Sequence, residues 1–149
     1  MSLEQKVMAD LKNAMLAKDE KSLRSLRAIK AAIIIAKTAE GSGGEIKENE
    51  EIKLLQKLVK QRKDSLEIYE KQGREDLASK EKEEIEVIEK FLPKQMDEAE
   101  LKTIIANIIQ ETGAKSAADM GKVMGAANKQ LGGKADGKTI AGIVKELLN

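Results

Sequence analysis

Apolar residues recur along most of the chain at intervals of three and four, the period of helices that each bury one face. Seven segments carry the pattern. Leu3, Val7, Leu11 and Ala14 share one side of a predicted helix over residues 3–18. Asp19 is placed to cap a second helix, which runs to residue 38 through Leu23, Leu26, Ile29, Ile33 and Ile34. Gly41-Ser42-Gly43-Gly44 interrupts the period as a flexible loop. A third helix spans residues 49–72 and ends at Gly73. A fourth opens at Arg74-Glu75-Asp76 and carries Leu77, Ile85, Ile88, Phe91 and Leu92.

Pro93, the single proline, stops that fourth pattern, because it lacks an N–H and disfavours helix in the residue before it. The boundary between two domains is therefore expected between Leu92 and Met96. Asp97 caps a fifth helix whose stripe is Leu101, Ile104, Ile105, Ile108 and Ile109, ending at Thr112-Gly113. A sixth runs from Ser116 to Leu131, and Asp136 opens a seventh over residues 137–148. The predicted fold is all-α: an N-terminal bundle of about four helices over 1–92 and a small three-helix module over 93–149.

Composition narrows the chemistry. One Phe, one Tyr and no Trp leave Leu, Ile, Val, Met and Ala to build the core. With no Cys and no His, disulfides, thiolate or imidazole metal sites and Cys-His or Ser-His-Asp catalysis are all excluded. No catalytic residue, metal or cofactor is expected. The first turns are charged, unlike a secretory signal, and the uncharged run Ala31–Ala36 is too short to span a bilayer. These features predict a soluble, cytoplasmic protein with no membrane partner.

Charge is nearly balanced overall, 27 basic against 26 acidic residues, and residues 1–92 hold 19 of each. The excess collects at the other end: residues 113–149 carry six lysines against Asp119, Asp136 and Glu146.

Three polar residues interrupt apolar stripes. Arg62 falls within the arc of Leu54, Leu55, Leu58, Val59, Leu66 and Tyr69 on the third helix, with Ser65 near its edge. Glu81 and Glu84 fall among Leu77, Ile85, Ile88 and Phe91 on the fourth. An arginine is costly in a core unless paired with a carboxylate, so an inter-helical ion pair fixing register is expected. A recognition site open at the bundle end is the other reading.

Gly132-Gly133-Lys134-Ala135-Asp136-Gly137-Lys138-Thr139 matches the phosphate-binding pattern G-x-x-x-x-G-K-[ST]. That loop needs a strand before it, and Met120–Leu131 has helical period instead. The match is read as a decoy, with Gly132 and Gly133 ending one helix and Asp136 capping the next. Lys134 and Lys138 remain phosphate candidates. On the sixth helix Met120, Val123, Met124, Ala127 and Leu131 form the inward face, and Gly121, Gly125, Lys122 and Lys129 lie opposite. A glycine inside a helix costs about 1 kcal/mol relative to alanine. Two of them on the outer face point to close approach by another backbone, either a partner helix or a nucleic acid.

Val59-Lys-Gln-Arg-Lys-Asp-Ser65, Phe91-Leu-Pro-Lys-Gln95, Asp119-Met-Gly-Lys-Val-Met-Gly125 and Gly133-Lys-Ala-Asp-Gly137 resemble, in order and spacing, motifs of the YqeY family. The resemblance covers essentially the whole chain. That family is similar to the C-terminal tail of the B subunit (GatB) of the tRNA-dependent glutamyl/aspartyl-tRNA amidotransferase. The resemblance implies an all-α N-terminal bundle, a three-helix C-terminal module and a role in holding tRNA. A carbon–nitrogen ligase label, with glutamine as amido-nitrogen donor, would be inherited from the family, since nothing here offers a glutaminase nucleophile or an ATP cradle.

Two functions follow. The first is a non-catalytic module for tRNA or other structured RNA, using Lys122, Lys129, Lys134, Lys138, Gly121 and Gly125. With almost no aromatics, it would work through phosphate and shape rather than base stacking. The second is a protein-interaction adaptor whose partner meets the C-terminal module on the Gly121/Gly125 face.

Overall fold

The computed structural model describes residues 1–39, 41 and 43–149. Its helices are α1 (Leu3–Ala17), α2 (Glu20–Thr38), α3 (Glu48–Lys71), α4 (Glu75–Glu89), α5 (Glu98–Thr112), α6 (Met120–Leu131) and α7 (Gly137–Leu148), with a 3-10 turn at Ala117–Asp119 before α6. Among the described residues there is no strand; the one β-type pairing is an isolated bridge between Gly132 and Ala135. The fold is all-α. Internal packing gathers the chain into two compact units, Met1–Leu92 and Pro93–Asn149.

In the first unit, α1 starts on a capping box. Ser2 Oγ accepts the Gln5 N–H at 3.2 Å, and Gln5 Oε1 accepts the Ser2 N–H at 3.0 Å. Glu51 of α3 accepts the Leu3 N–H at 2.7 Å, so a carboxylate from another helix sits at the positive end of α1. Lys18, in the left-handed region at φ 55°, turns the chain, and Asp19 caps α2 by accepting the Ser22 N–H at 3.2 Å and its hydroxyl at 2.7 Å. The two-residue link makes α1 and α2 an antiparallel hairpin. Of the predicted glycine loop, Ser42 lies outside the described residues; Gly41, Gly43 and Gly44 all have positive φ, which glycine adopts without strain. The α3–α4 pair closes the bundle over Val7, Ile29, Ile33, Leu55, Val59, Ile85 and Ile88. Each such side chain contributes about 1.5–3 kcal/mol on burial.

Two elements depart from the pattern in the sequence. Ile34 is about half exposed rather than part of the core stripe, because Ile33 takes the inward direction and Ile34 lies 100° further round the helix. The fourth helix ends at Glu89, and the next residues tighten: the Phe91 and Leu92 N–H groups donate to Ile88 O and Glu89 O, three residues back. Phe91 and Leu92 are only partly buried there.

In the second unit, Asp97 and Glu100 form a capping box at the start of α5. Leu101, Ile105 and Ile108 of α5 pack with Val123, Ala127 and Leu131 of α6 and with Ile140, Ile143, Val144 and Leu148 of α7. Ile104 and Ile109 are partly buried beside them. The sixth helix starts at Met120 rather than Ser116. Asp119 causes the delay: its carboxylate accepts the Lys115 N–H at 2.9 Å and its own N–H donates to Ser116 O, holding a tight turn ahead of α6.

Candidate nucleic-acid interface

Val123, Ala127 and Leu131 turn one side of α6 inward, which leaves Gly121, Lys122, Gly125 and Lys129 exposed on the other. Lys122 and Lys129 are seven residues apart, about 10.5 Å along the axis and nearly in line. A methyl group added at Gly121 or Gly125 would meet no atom within 4 Å, so internal packing does not require glycine at either position.

The turn that follows is held by its backbone. Met96 N–H donates to Lys134 O at 3.0 Å, and Gln95 Nε2 donates to Gly133 O at 2.8 Å. Gly133 is buried at φ 83°, and a Cβ on Gly132 would lie 2.8 Å from Asn128 O. The side chains of Lys134 and Lys138 are exposed on either side of Asp136. Among the described residues, Lys122, Lys129, Lys134 and Lys138 have no ion-pair partner within 4 Å. Two carboxylates, Asp119 and Asp136, lie within three residues of these lysines in sequence, and the Lys115 N–H, then the Ser116 N–H and the Lys122 charge, hold the Asp119 carboxyl below its ordinary range.

The sequence match to a phosphate-binding loop has no sheet behind it: the helix α6 precedes Gly132, and α7 starts at Gly137. Asp136 caps α7, accepting the Thr139 N–H at 2.7 Å. A carboxylate already occupies the helix start where a free anion would otherwise be favoured. The positive charge of this region that stays exposed is carried by the lysine side chains.

The polar residues of the N-terminal unit form a separate cluster. Arg62 Nε donates to Glu84 Oε2 at 3.0 Å, and an Arg62 terminal nitrogen donates to Leu58 O at 3.3 Å. Glu84 Oε1 accepts from Arg24 Nε at 3.3 Å. Arg24 also reaches Glu83 at 3.1 Å, as does Lys21 at 3.3 Å. Glu81 is not part of this chain of pairs: its Oε2 is buried without a hydrogen-bond partner, and burial, then the Glu84 charge, raise its carboxyl above the ordinary range against the pull of Arg62. Arg24, with Lys21 and Glu83 beside it, is a part of the cluster that the apolar stripes do not reveal. Its signal in the sequence is Lys21 and Arg24, two cations one helical turn apart on α2. Among the described residues no cluster of three or more acidic, His or Cys side chains could hold a metal ion.

The YqeY family model, described as Yqey-like protein, matches residues 4–148. The chain belongs to the YqeY family. It is 37% identical over 111 residues to altered inheritance of mitochondria protein 41, mitochondrial, of Clavispora lusitaniae, a match covering 72% of this chain and 63% of that protein. It is 31% identical over 149 residues to the protein of the same name from Pyrenophora tritici-repentis, covering 96% of this chain and 79% of that protein. The match to the Clavispora protein thus falls short of two thirds of its length.

These relatives correct the expectation of a cytoplasmic YqeY protein, since both are named as mitochondrial. The expectation rested on absent cysteine, charged first turns and an uncharged run too short to span a bilayer. Those features suit any reducing compartment and do not distinguish one from another. Among the described residues no helix is long and apolar enough to cross a membrane.

Proposed function

We propose that the C-terminal unit is a non-catalytic binding module for structured RNA, with tRNA the leading ligand, gripping phosphates through Lys122, Lys129, Lys134 and Lys138. The observation that carries this reading is four exposed lysines, on α6, the turn after it and the first turn of α7, with no ion-pair partner among the described residues. Unpaired cations on a folded surface are available to release counterions from a nucleic-acid backbone. Gly121 and Gly125 leave bare helix beside Lys122, where a sugar-phosphate chain can approach closely. Interactions of this kind fix position and shape without reading bases, in keeping with a surface poor in aromatics.

The test is binding of total tRNA across a salt series. The intact chain binds at low salt and weakens steeply as salt rises. Lys122→Ala/Lys129→Ala weakens binding, and the slope of log affinity against log salt becomes shallower by about 0.7–0.9 for each phosphate no longer neutralised. No binding at low salt, or unchanged binding in the double variant, would remove the RNA reading. It would leave a protein partner on the Gly121/Gly125 face, whose docking is insensitive to salt.

A further inference from the structure

The balanced charge of residues 1–92 hides a separation between its two hairpins. Residues 1–38, spanning α1 and α2, hold eight Lys and Arg against four Asp and Glu, while residues 39–92 hold 11 against 15. The same basic hairpin carries most of the exposed large apolar side chains, among them Met8, Met15 and Ile34, exposed by 45, 58 and 49%.

One ion pair puts these features in order. Lys37 Nζ of α2 meets Glu4 Oε2 of α1 at 2.8 Å and marks the register of the antiparallel helices. From Glu4, the same side of α1 continues at Met8, Lys12 and Met15, in steps of four, four and three. From Lys37, the same side of α2 runs the opposite way through Ile34, Lys30 and Arg27, in steps of three, four and three. The two ridges keep pace for about 16 Å, three helical turns. Met8 therefore falls level with Ile34, Lys12 with Lys30, and Met15 with Arg27. Among the described residues Lys12, Arg27 and Lys30 have no ion-pair partner.

We infer that this seam is a docking groove for an acidic amphipathic helix of a partner protein. Two parallel ridges of half-exposed side chains make the groove into which a third helix lays its apolar anchors at i, i+3 or i+4, and i+7. Met is suited to such a surface because its side chain adapts to different anchors. Three uncompensated cations alternating with the apolar groups call for carboxylates along both edges of the incoming helix. A phosphodiester chain would satisfy the cations but would leave Met8, Met15 and Ile34 against charge and water, which disfavours nucleic acid here. The groove lies wholly within the N-terminal unit and does not depend on the C-terminal lysines.

The experiment uses the full chain and a fluorescent synthetic helical peptide of roughly 18 residues, long enough to form a helix. It carries Leu at i, i+4, i+7 and i+11 flanked by Glu; a scrambled peptide and a version with Lys for Glu are the controls. Anisotropy should show the acidic peptide binding and the controls not. Lys12→Glu/Lys30→Glu should lose the acidic peptide and gain the Lys peptide. Met8→Ser/Ile34→Ser should weaken the acidic peptide by about tenfold, the effect of 1.4 kcal/mol. Circular dichroism melting checks that each variant folds, and the charge swap decides alone should the serine pair unfold the hairpin. The inference is overturned if the acidic peptide binds no better than the scrambled one, or if the charge swap leaves it bound. It is also overturned if the serine pair folds and binds unchanged while duplex RNA displaces the peptide.

Discussion

Glu84 is shared between two arginines on different helices: one carboxylate oxygen accepts Arg62 Nε at 3.0 Å and the other accepts Arg24 Nε at 3.3 Å. The carboxylate of α4 thereby ties α3 to α2. Arg62 and Glu84 keep 17 and 16% of their side-chain surface exposed, so water screens part of the pair and relieves part of its desolvation. Arg62→Ala should destabilise the N-terminal unit by about 1.5–3 kcal/mol, the range for a hydrogen bond to a charged group. Glu84→Ala should cost more, because it leaves the Arg62 guanidinium without a carboxylate and removes one of the two carboxylates that Arg24 holds, leaving it Glu83. Urea unfolding of both single variants and the double variant measures this; equal losses from the two single variants would contradict the shared role of Glu84.

Glu81 gives the opposite behaviour. Its carboxyl is raised above the ordinary range by burial and by Glu84, so the folded state holds its proton to higher pH than the unfolded state does. Folded chains then bind more protons over that interval, and stability falls as pH rises through it. Glu81→Gln removes the ionisation and should raise the melting midpoint at pH 7, with a smaller gain at pH 4. A midpoint lowered at pH 7 would show that Glu81 has a stabilising partner after all.

The helices were legible from their apolar stripes, and at α2, α5 and α7 the caps agree: Asp19, Asp97 and Asp136 all accept the backbone N–H three residues on. The Arg62–Glu84 approach was legible too, since each interrupts a facing apolar stripe. What the sequence could not show is where a stripe ends sideways. Ile34 was placed by spacing on the inward face, yet Ile33 is the residue buried there and Ile34, 100° further round, stays about half exposed. Nor could it divide the labour among carboxylates, for Glu81 and Glu84 occupy equivalent positions by spacing and only one reaches the arginine. For the C-terminal lysines, spacing gave a common face for Lys122 and Lys129. The cost of an anion at the start of α7 depends on the Asp136 carboxylate facing Thr139, a geometric fact.

The glycines around α6 should separate by mutation. Gly132→Ala puts a methyl group 2.8 Å from Asn128 O, a backbone atom that cannot swing aside, and should destabilise by about 1–3 kcal/mol. Gly121→Ala and Gly125→Ala meet nothing and should each stabilise α6 by about 1 kcal/mol. Thermal unfolding measures all three. If the glycines serve close approach by RNA, the two stabilised variants bind tRNA more weakly; stabilisation with unchanged binding would separate them from the interface.

Asp136 supplies the last test, because it performs two tasks that chemistry can separate. Its carboxylate accepts the Thr139 N–H, which stabilises the start of α7, and its charge lies two residues from both Lys134 and Lys138. Asn caps a helix about as well as Asp, so Asp136→Asn should keep stability within about 0.5 kcal/mol. The same change removes a negative charge from the middle of the proposed phosphate surface. At low salt tRNA should bind about two- to fivefold more tightly, and the gain should shrink as salt shortens the reach of the removed charge. Paired melting and binding measurements at two salt concentrations check both halves. A folded Asp136→Asn chain with unchanged or weaker tRNA affinity at low salt would show that Lys134 and Lys138 do not face the phosphates.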